Sequence, residues 1–270
     1  MIVQPIVKWA GGKRSIMYQV RSYFPKNIHT YIEPFCGGAA IALNLDCQKI
    51  IINDINQDLV KVYSHFQGSE YCEVLQYLKD WQESQHYLSE TFYKSLREDF
   101  NGNYSCEVKR SAQFLALNKL GFNGLFRVNS KGLFNVPWGR KKRGTKIYDE
   151  EKFEVFRQKI KNIEVRVGSY SDLEYPSGSF VYFDPPYDTD GKDFTSYHST
   201  RFEKPAQKNL REFCDKLTRN NIKFCQSNAD TPDIRDWYQD YNIYEVEAPR
   251  RISAKVKGRK PVQELLITNY

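Results

Sequence analysis

The sequence predicts an α/β protein with a largely parallel sheet and a helical insertion. Seven short apolar segments alternate with stretches of helical periodicity, an order typical of a sheet with helices on both faces. Residues 180–183 are apolar throughout, as in a buried parallel strand. Pro185 and Pro186 follow Asp184 and cannot extend a ladder, so this strand must end there. In open α/β sheets, ligands bind at that edge.

The predicted strands and the insertion follow in chain order. The strands occupy residues 28–35, 49–53, 164–167, 180–183, 222–226, 241–247 and 265–269. The first ends at Pro34, and the second ends at Asp54. Residues 57–144 differ, because they are polar with helical spacing at first and rich in Gly and Asn later. We therefore predict a core domain formed by 1–56 and 145–270, interrupted by an inserted domain at 57–144.

The composition favours a polyanionic partner. The chain has 270 residues, enough for one large α/β domain with an insertion. Its formal net charge is +7, which favours binding to nucleic acid. Aromatic residues make up 15% of the chain, which suits stacking on bases as well as core packing. The four histidines are few and dispersed, so no metal site is predicted.

Cysteine spacing and the length of apolar runs predict the cellular compartment of the protein. Six cysteines are scattered without a C-x-x-C pair, which predicts reduced thiols in a cytoplasmic protein. No stretch approaches 18 apolar residues, so no membrane span is expected. Residues 1–8 lack the long apolar core of a signal peptide.

Two glycine motifs near the N-terminus indicate a cofactor site. In residues 8–13, Lys-Trp-Ala-Gly-Gly-Lys, Trp9 can cover a ring and Lys13 can meet a carboxylate. This motif alone is also compatible with a simple loop before a helix. Residues 31–39 combine a strand, a glycine turn and a helical pattern. About twenty residues later, Asp54 stands where an acid can hold a ribose diol, although a surface turn acid is the alternative.

The turn after residue 183 suits chemistry on a planar amine. The Asp184 carboxylate and the Pro185 carbonyl can accept the hydrogens of an exocyclic amino group. Tyr187 can stack on the ring, which contributes roughly 1–3 kcal/mol per base. The alternative is a turn whose carboxylate faces water.

Together these motifs, in this order, resemble the Dam-type DNA adenine-N6 methyltransferases of the alpha group. The resemblance covers nearly the whole chain. It implies a Rossmann-like sheet that binds S-adenosyl-L-methionine, releases S-adenosyl-L-homocysteine and methylates a flipped adenine in double-stranded DNA. The implied catalytic residues are Asp184, Pro185, Pro186 and Tyr187. The implied cofactor-binding residues are Trp9, Ala10, Gly11, Lys13, Glu33, Pro34, Phe35, Gly37, Asp54, Ser169, Tyr170 and Asp184.

Two positions depart from the family pattern. Ala39 stands where the family usually has a second glycine, and a local packing adjustment is expected there. Ser169 stands where many relatives carry an acid, which bears on the contact with the adenine of the cofactor.

Residues 121–139 predict a β-hairpin that reads DNA. Glycines punctuate the segment, with a Ser-Lys-Gly turn at its tip. Arg127 can bond bidentately to guanine, and Asn123 can offer its amide to a base edge. Phe122 and Leu125 can wedge where a base leaves the stack. The resemblance is to the hairpin of enzymes that modify GATC, and it adds Pro137 and Lys8 to the DNA contacts.

Two basic runs flank these elements, at 140–143 and at 250–260. Basic runs are usually solvated faces. Beside a reading hairpin and a base pocket, we expect them to hold phosphates, with Arg140 and Lys141 as the first contacts.

Alternatives remain within and outside the enzyme class. Cytosine-N4 and RNA methylation use a similar turn, and a regulator that binds the cofactor or nucleic acid without turnover is a further possibility. The expected partner is double-stranded DNA, with a restriction endonuclease of the same site as a candidate second partner. The resemblance implies a bacterial or phage-encoded protein, and we expect a monomer.

Overall fold

The computed structural model describes residues 2–84, 86–102, 106–187, 202, 204–248 and 262–270. Among these residues, the strands are β1 Thr30–Glu33, β2 Lys49–Asp54, β3 Glu164–Val167, β4 Ser179–Phe183, β5 Lys223–Ala229, β6 Asn242–Ala248 and β7 Val262–Thr268. The helices are α1 Met17–Arg21, α2 Gln57–Gln67, α3 Tyr71–Glu83, α4 Glu90–Asn101, α5 Glu107–Leu120, α6 Glu150–Ile160, α7 Lys204–Arg219 and α8 Pro232–Trp237. Each strand overlaps one of the seven predicted segments.

The strands form a seven-stranded sheet in the order β3-β2-β1-β4-β5-β7-β6. β1 is parallel to β2 on one side and to β4 on the other, and Ile32 is paired with both Ile51 and Val181. β5 is parallel to β4, whereas β7 is antiparallel to β5 and to β6. The predicted α/β class with a largely parallel sheet is confirmed. The ends of β1, β2 and β4 meet at one edge, because parallel strands share a direction.

The core of the sheet explains why β4 is apolar at every position. All five of its residues are buried, including Val181 and Phe183. Leu210, Cys214 and Leu217 lie at spacings of four and three residues along α7, so they share one helix face. This face belongs to the same buried cluster as Val181 and Phe183. A strand covered on both faces needs no polar side, as the continuous apolar run predicted.

The chain divides into two compact units. Of the described residues, the first unit holds 2–10 and 56–167, and the second holds 11–55, 168–187, 202 and those from 204 onward. The predicted insertion at 57–144 lies within the first unit, which also takes in residues 2–10 and 145–167. That the inserted domain ends at residue 144 and the core domain resumes at residue 145 stays a prediction.

Residues 121–139, in the first unit, form a short hairpin held by isolated bridges. Val128 pairs with Phe134, and Gly121 pairs with Trp138, both antiparallel. The tip is a tight turn in which the Gly132 amide donates to the Asn129 carbonyl at 2.9 Å, with Gly132 at a φ of 74°. The turn after residue 121 is a 3-10 helix, Phe122–Gly124, so the hairpin lacks continuous strands.

In the described part of the chain, no helix is long and apolar enough to cross a membrane. No group of three or more His, Cys, Asp or Glu residues is placed to hold a metal ion among those residues.

Candidate active site

Asp184 leaves the end of β4 with its carboxylate inside the second unit. Its side chain is 16% exposed, and Lys13 Nζ lies 2.6 Å from its Oδ1. Lys13 is itself buried, donates to the Gly11 carbonyl at 2.8 Å and lies 4.7 Å from the centre of the Tyr187 ring. Lys13 was predicted to meet a carboxylate, and in the structure that carboxylate belongs to Asp184. The predicted catalytic turn and the N-terminal glycine motif are thus brought together.

A second acid, Glu264 on β7, completes this cluster. The Tyr187 hydroxyl donates to Glu264 Oε2 at 2.7 Å, and Lys13 Nζ lies 3.7 Å from the same oxygen. Sequence reasoning missed Glu264. The sequence does contain a signal for Glu264, because an acid directly before the apolar strand residues 265–267 is a candidate for a partly buried carboxylate.

Burial and the Lys13 ammonium act in opposite directions on the pKa of Asp184. Desolvation raises the pKa of Asp184 to about 6, and the nearby charge of Glu264 raises it as well. The Lys13 ammonium lowers this pKa through its charge and its hydrogen bond. The carboxylate is therefore largely ionised at neutral pH and can accept hydrogen bonds.

The backbone of the predicted catalytic turn is held by a buried amide pair. Gln207 Nε2, on α7, donates to the Pro186 carbonyl at 2.8 Å. Asn228 Nδ2, at the end of β5, donates in turn to Gln207 Oε1 at 3.0 Å. Both amide side chains are fully buried. Neither residue was anticipated from the sequence.

The ends of β1 and β2 form the predicted cofactor edge. The Gly37 amide donates to Asp54 Oδ2 at 2.9 Å, with Gly37 in the left-handed region at a φ of 44°. Asn53 Nδ2 donates to the Pro34 carbonyl at 3.0 Å and to the Gly168 carbonyl at 2.9 Å. These bonds tie the glycine turn to the end of β2 and to the segment after residue 167. Asn53 was not singled out beforehand.

Two predicted aromatic residues meet at the same edge. The rings of Phe35 and Tyr170 lie 5.4 Å apart between centroids. Ser169 begins the short 3-10 helix Tyr170–Asp172, accepting from Ser171 N at 3.3 Å. The Ser169 amide donates to Asp172 Oδ2 at 3.1 Å, so an acid does stand nearby, three residues later.

Ala39 and Glu33 have structural roles beneath this edge. Ala39 is fully buried with a φ of 54°, a conformation that favours glycine, so the departure from the family pattern falls on a strained position. Glu33 Oε2 accepts from the Tyr31 hydroxyl at 3.0 Å and from the Ala42 amide at 3.1 Å. Burial raises the pKa of Glu33 to about 8.

Comparison with known proteins shows the family of this chain. A family model described as D12 class N6 adenine-specific DNA methyltransferase matches residues 9–252. The chain belongs to this family. It is an adenine-specific DNA methyltransferase, and membership implies S-adenosylmethionine as its methyl donor.

Three relatives match over nearly their whole length. The type II methyltransferase M.MjaIII of Methanocaldococcus jannaschii is 41% identical, with all of both chains covered. The type II methyltransferase M1.LlaDCHI of Lactococcus lactis is 34% identical over 99% of this chain and 96% of its own. The DNA adenine methylase of Escherichia coli K12 is 35% identical over 96% of this chain and 93% of its own.

Three predicted site residues of the methyltransferase, Lys8, Trp9 and Ala10, belong to the first unit. The Trp9 ring is stacked on Phe126 at 6.0 Å and on Phe114 at 6.5 Å. Within that unit, Trp9 therefore packs with the hairpin. Its predicted contact with the cofactor stays a prediction.

Lys8 of the methyltransferase also packs against the segment that is predicted to read DNA. Its amide donates to Asn118 Oδ1 at 2.8 Å, and Asn118 Nδ2 donates to the carbonyls of Lys8 and Gly124, both at 2.9 Å. A Cβ at position 124 would lie 2.5 Å from the Lys8 side chain, so only glycine fits there. Burial lowers the pKa of both Lys119 and Lys141, and the nearby charge of Lys8 lowers both pKa values as well. Lys119 is therefore near the predicted DNA contact Lys8, and the sequence alone does not single it out.

Arg127 of the methyltransferase is braced within the hairpin. Its Nε donates to Asn135 Oδ1 at 2.7 Å, and its Nη2 donates to the Asn135 carbonyl at 3.2 Å. Asn135 thus orients the guanidinium.

The other predicted DNA contacts surround this pair. Phe122 is 50% exposed, as a wedge requires, and its amide donates to the Pro137 carbonyl at 2.9 Å. Asn123 and Arg140 both have positive φ. Leu125 is half-buried. The predicted basic run at 250–260 lies outside the described residues.

Proposed function

We propose that this methyltransferase transfers the methyl group of S-adenosylmethionine to N6 of adenine in double-stranded DNA, within GATC, after the adenine leaves the duplex. The observation that carries the proposal is the half-buried turn after β4. It presents an ionised acceptor, Asp184, and an aromatic ring, Tyr187, from one stiff segment.

The residues at the ends of β1 and β2, together with Tyr170 in the segment after residue 167, fit the cofactor chemically. Asp54 supplies a carboxylate for a ribose diol beside the Gly37 turn, and Phe35 and Tyr170 supply aromatic faces for an adenine ring. When bound, the cofactor supplies a methyl group that its sulfonium has already activated.

The catalytic turn acts on the amino group of the target base. Asp184 and the Pro185 carbonyl accept its two hydrogens, which directs the nitrogen lone pair away from the ring. Tyr187 stacks on the flipped base. Asp184 is also placed to take the proton that the amino group loses on methylation. Orientation of the base supplies much of the rate, since no covalent intermediate with the protein is needed.

The proposed site preference depends on the hairpin in the first unit. Arg127, braced by Asn135, can read a guanine edge in the major groove. The names of two relatives, both type II methyltransferases, favour a restriction endonuclease of the same site as a partner.

The test is methylation of plasmid DNA from a host that leaves GATC unmodified. We expect mapped N6-methyladenine at GATC with the parent enzyme. With Asp184→Ala, we expect a rate at least about tenfold lower, because a hydrogen bond to a charged group is lost. Digestion products and a parallel RNA substrate distinguish adenine-N6 from cytosine-N4 and RNA methylation. Methylation of cytosine or RNA alone, or an Asp184→Ala variant with the parent rate, would reject the proposal.

A further inference from the structure

Glu264 is an acid held inside the second unit without a role in the proposed reaction. The next three residues of β7, 265–267, are fully buried. Glu264 stands directly before them, and its side chain is only 16% exposed. A carboxylate this far from water is costly unless it is paired. Its partners are the hydroxyl of Tyr187 at 2.7 Å and the ammonium of Lys13 at 3.7 Å.

We propose that Glu264 is a positioning residue for methyl transfer, which holds the Tyr187 ring in its stacking orientation and draws Lys13 partly away from Asp184. The inference rests on the proposed roles of Asp184 and Tyr187. The geometry carries the inference, because Glu264 Oε2 lies near both the Tyr187 hydroxyl and the ammonium of Lys13, which also pairs with Asp184.

The first effect concerns the tyrosine ring. Pro185 and Pro186 have fixed φ angles and so restrict the backbone that leads to Tyr187, but they leave its side-chain torsions free. The hydrogen bond from its hydroxyl to Glu264 anchors the far end of the ring. A ring anchored at both ends is prepared for stacking before the base arrives, so less freedom is lost on binding.

The second effect concerns charge. Two carboxylates share one ammonium, and Lys13 lies 2.6 Å from Asp184 but 3.7 Å from Glu264. Without the Glu264 charge, Lys13 would pair with Asp184 alone and compete more strongly with the amino group of the base. The charged or titratable groups that act on Asp184 are Lys13, Glu264 and Tyr187. Burial is the larger cause that raises the pKa of the neighbouring Tyr182 and Glu33, and Asp184 in turn raises both pKa values as well.

The ring effect is tested by a double-mutant cycle on single-turnover rates with GATC duplex and saturating S-adenosylmethionine. Tyr187→Phe removes only the hydroxyl, and Glu264→Ala removes the acceptor. We expect each change to lower the rate by about tenfold. In the Tyr187→Phe background, Glu264→Ala should cost at least about threefold less than in the parent, because the shared bond is already gone. Penalties that simply multiply would overturn the ring effect.

The charge effect is tested with Glu264→Gln, which keeps an acceptor for Tyr187 but removes the charge. The acid limb of the rate against pH should move to lower pH, because Asp184 loses a neighbouring negative charge. Glu245→Gln is the matched control, since Glu245 is exposed on β6 and pairs with Arg235. Its acid limb should stay in place. A purely structural role for Glu264 would lower the melting temperature without moving the limb.

The outcomes separate this inference from the proposed function. An active Asp184→Ala variant rejects the proposed function itself. An inactive Asp184→Ala variant, combined with an unmoved acid limb in Glu264→Gln and multiplying penalties in the cycle, rejects only the positioning role.

Discussion

At the scale of single residues, two carboxyls of the second unit, the half-buried Asp184 and the buried Glu33, differ in their protonation. Burial is the largest cause that raises the pKa of Asp184 to about 6 and that of Glu33 to about 8. Lys13 contacts Asp184 and favours its charged form, whereas Glu33 has the neutral Tyr31 hydroxyl and Ala42 amide as its partners. At neutral pH, one carboxyl is thus largely ionised and the other largely protonated, as their different surroundings require.

The first prediction concerns the pH dependence of catalysis. Protonation of Asp184 removes an acceptor for the amino group, so the single-turnover rate should fall as the pH drops through about 6. Rates at saturating cofactor and DNA, measured from about pH 5 to 8, would show this limb. A rate that stays constant down to pH 5 would contradict the assignment of Asp184.

The second prediction concerns stability and Glu33. Its folded pKa of about 8 lies above the reference value of 4.5, so between these values the folded state keeps a proton that the unfolded state has lost. The stabilisation is complete below pH 4.5 and is lost as the pH rises to 8. Asp184 acts in the same direction over a lower range, from 3.8 to about 6.

Glu33→Gln should therefore reduce the loss of stability with rising pH, since an amide does not titrate and can still accept from Tyr31 and Ala42. The measurement is urea unfolding at about pH 5 and pH 8 for both proteins. The parent should lose more unfolding free energy than the variant between the two. An equal loss in both proteins would show that Glu33 does not carry the effect.

At the scale of elements, helix α7 combines packing with support of the catalytic turn. Residues 207, 210, 214 and 217 lie at spacings of three and four and share its buried face. Three are apolar or a thiol, and the fourth is Gln207, which bonds to the Pro186 carbonyl and to Asn228. A polar residue within an apolar helix face can be recognised in the sequence. The residues that it will bond to cannot be read from the sequence.

The third prediction follows for Gln207→Leu. The change keeps the volume but leaves Asn228 Nδ2 and the Pro186 carbonyl without this partner, which should cost about 1–3 kcal/mol of unfolding free energy. The turn should also be less restrained, so methyl transfer should slow. Asn209→Leu is the control, because Asn209 is exposed on the same helix. Equal stability and rate in both variants would argue against the buried amide pair as a support.

At the scale of the whole molecule, the two compact units carry different groups of the predicted site residues. The catalytic turn and the ends of β1 and β2 belong to the second unit, whereas Lys8, Trp9 and the hairpin belong to the first. The net charge of +7 supports binding to any DNA, because phosphate contacts are independent of sequence. Specificity has to come from the few side chains that reach base edges.

The fourth prediction separates these two kinds of contact. Arg127→Ala should relax the preference for the outer base pair, since a base-reading arginine contributes roughly 1–3 kcal/mol of discrimination. Lys141→Ala should lower rates on all sites by a similar factor and reduce the salt dependence. The measurement is kcat/KM on GATC and on singly altered sites.

Asn135→Ala should act in the same direction as Arg127→Ala but more weakly, because Arg127 would lose its brace and keep its charge. Unchanged ratios in Arg127→Ala, with altered ratios in Lys141→Ala, would contradict the assignment of the hairpin.

The sequence by itself determined the α/β class and the seven strand positions, and it predicted the edge of the sheet at which the site lies. Apolar runs and strand-ending prolines are local signals, and a strand that is buried on both faces has to be apolar wherever it lies. The motif order was sufficient to predict the family, and the family match confirmed it. The hairpin was predicted, but the 3-10 turn at its start was not, because Asn123 adopts a positive φ that the sequence does not announce.

Only the tertiary structure decided which side chains meet at the catalytic turn. Lys13, Gln207 and Glu264 come from distant parts of the chain, and they reach Asp184–Tyr187 because of the sheet order and the packing of α7. The contacts of Trp9 with Phe114 and Phe126 are of the same kind. Periodicity specifies which face of an element is buried, whereas the partner on that face depends on how the elements are arranged in space.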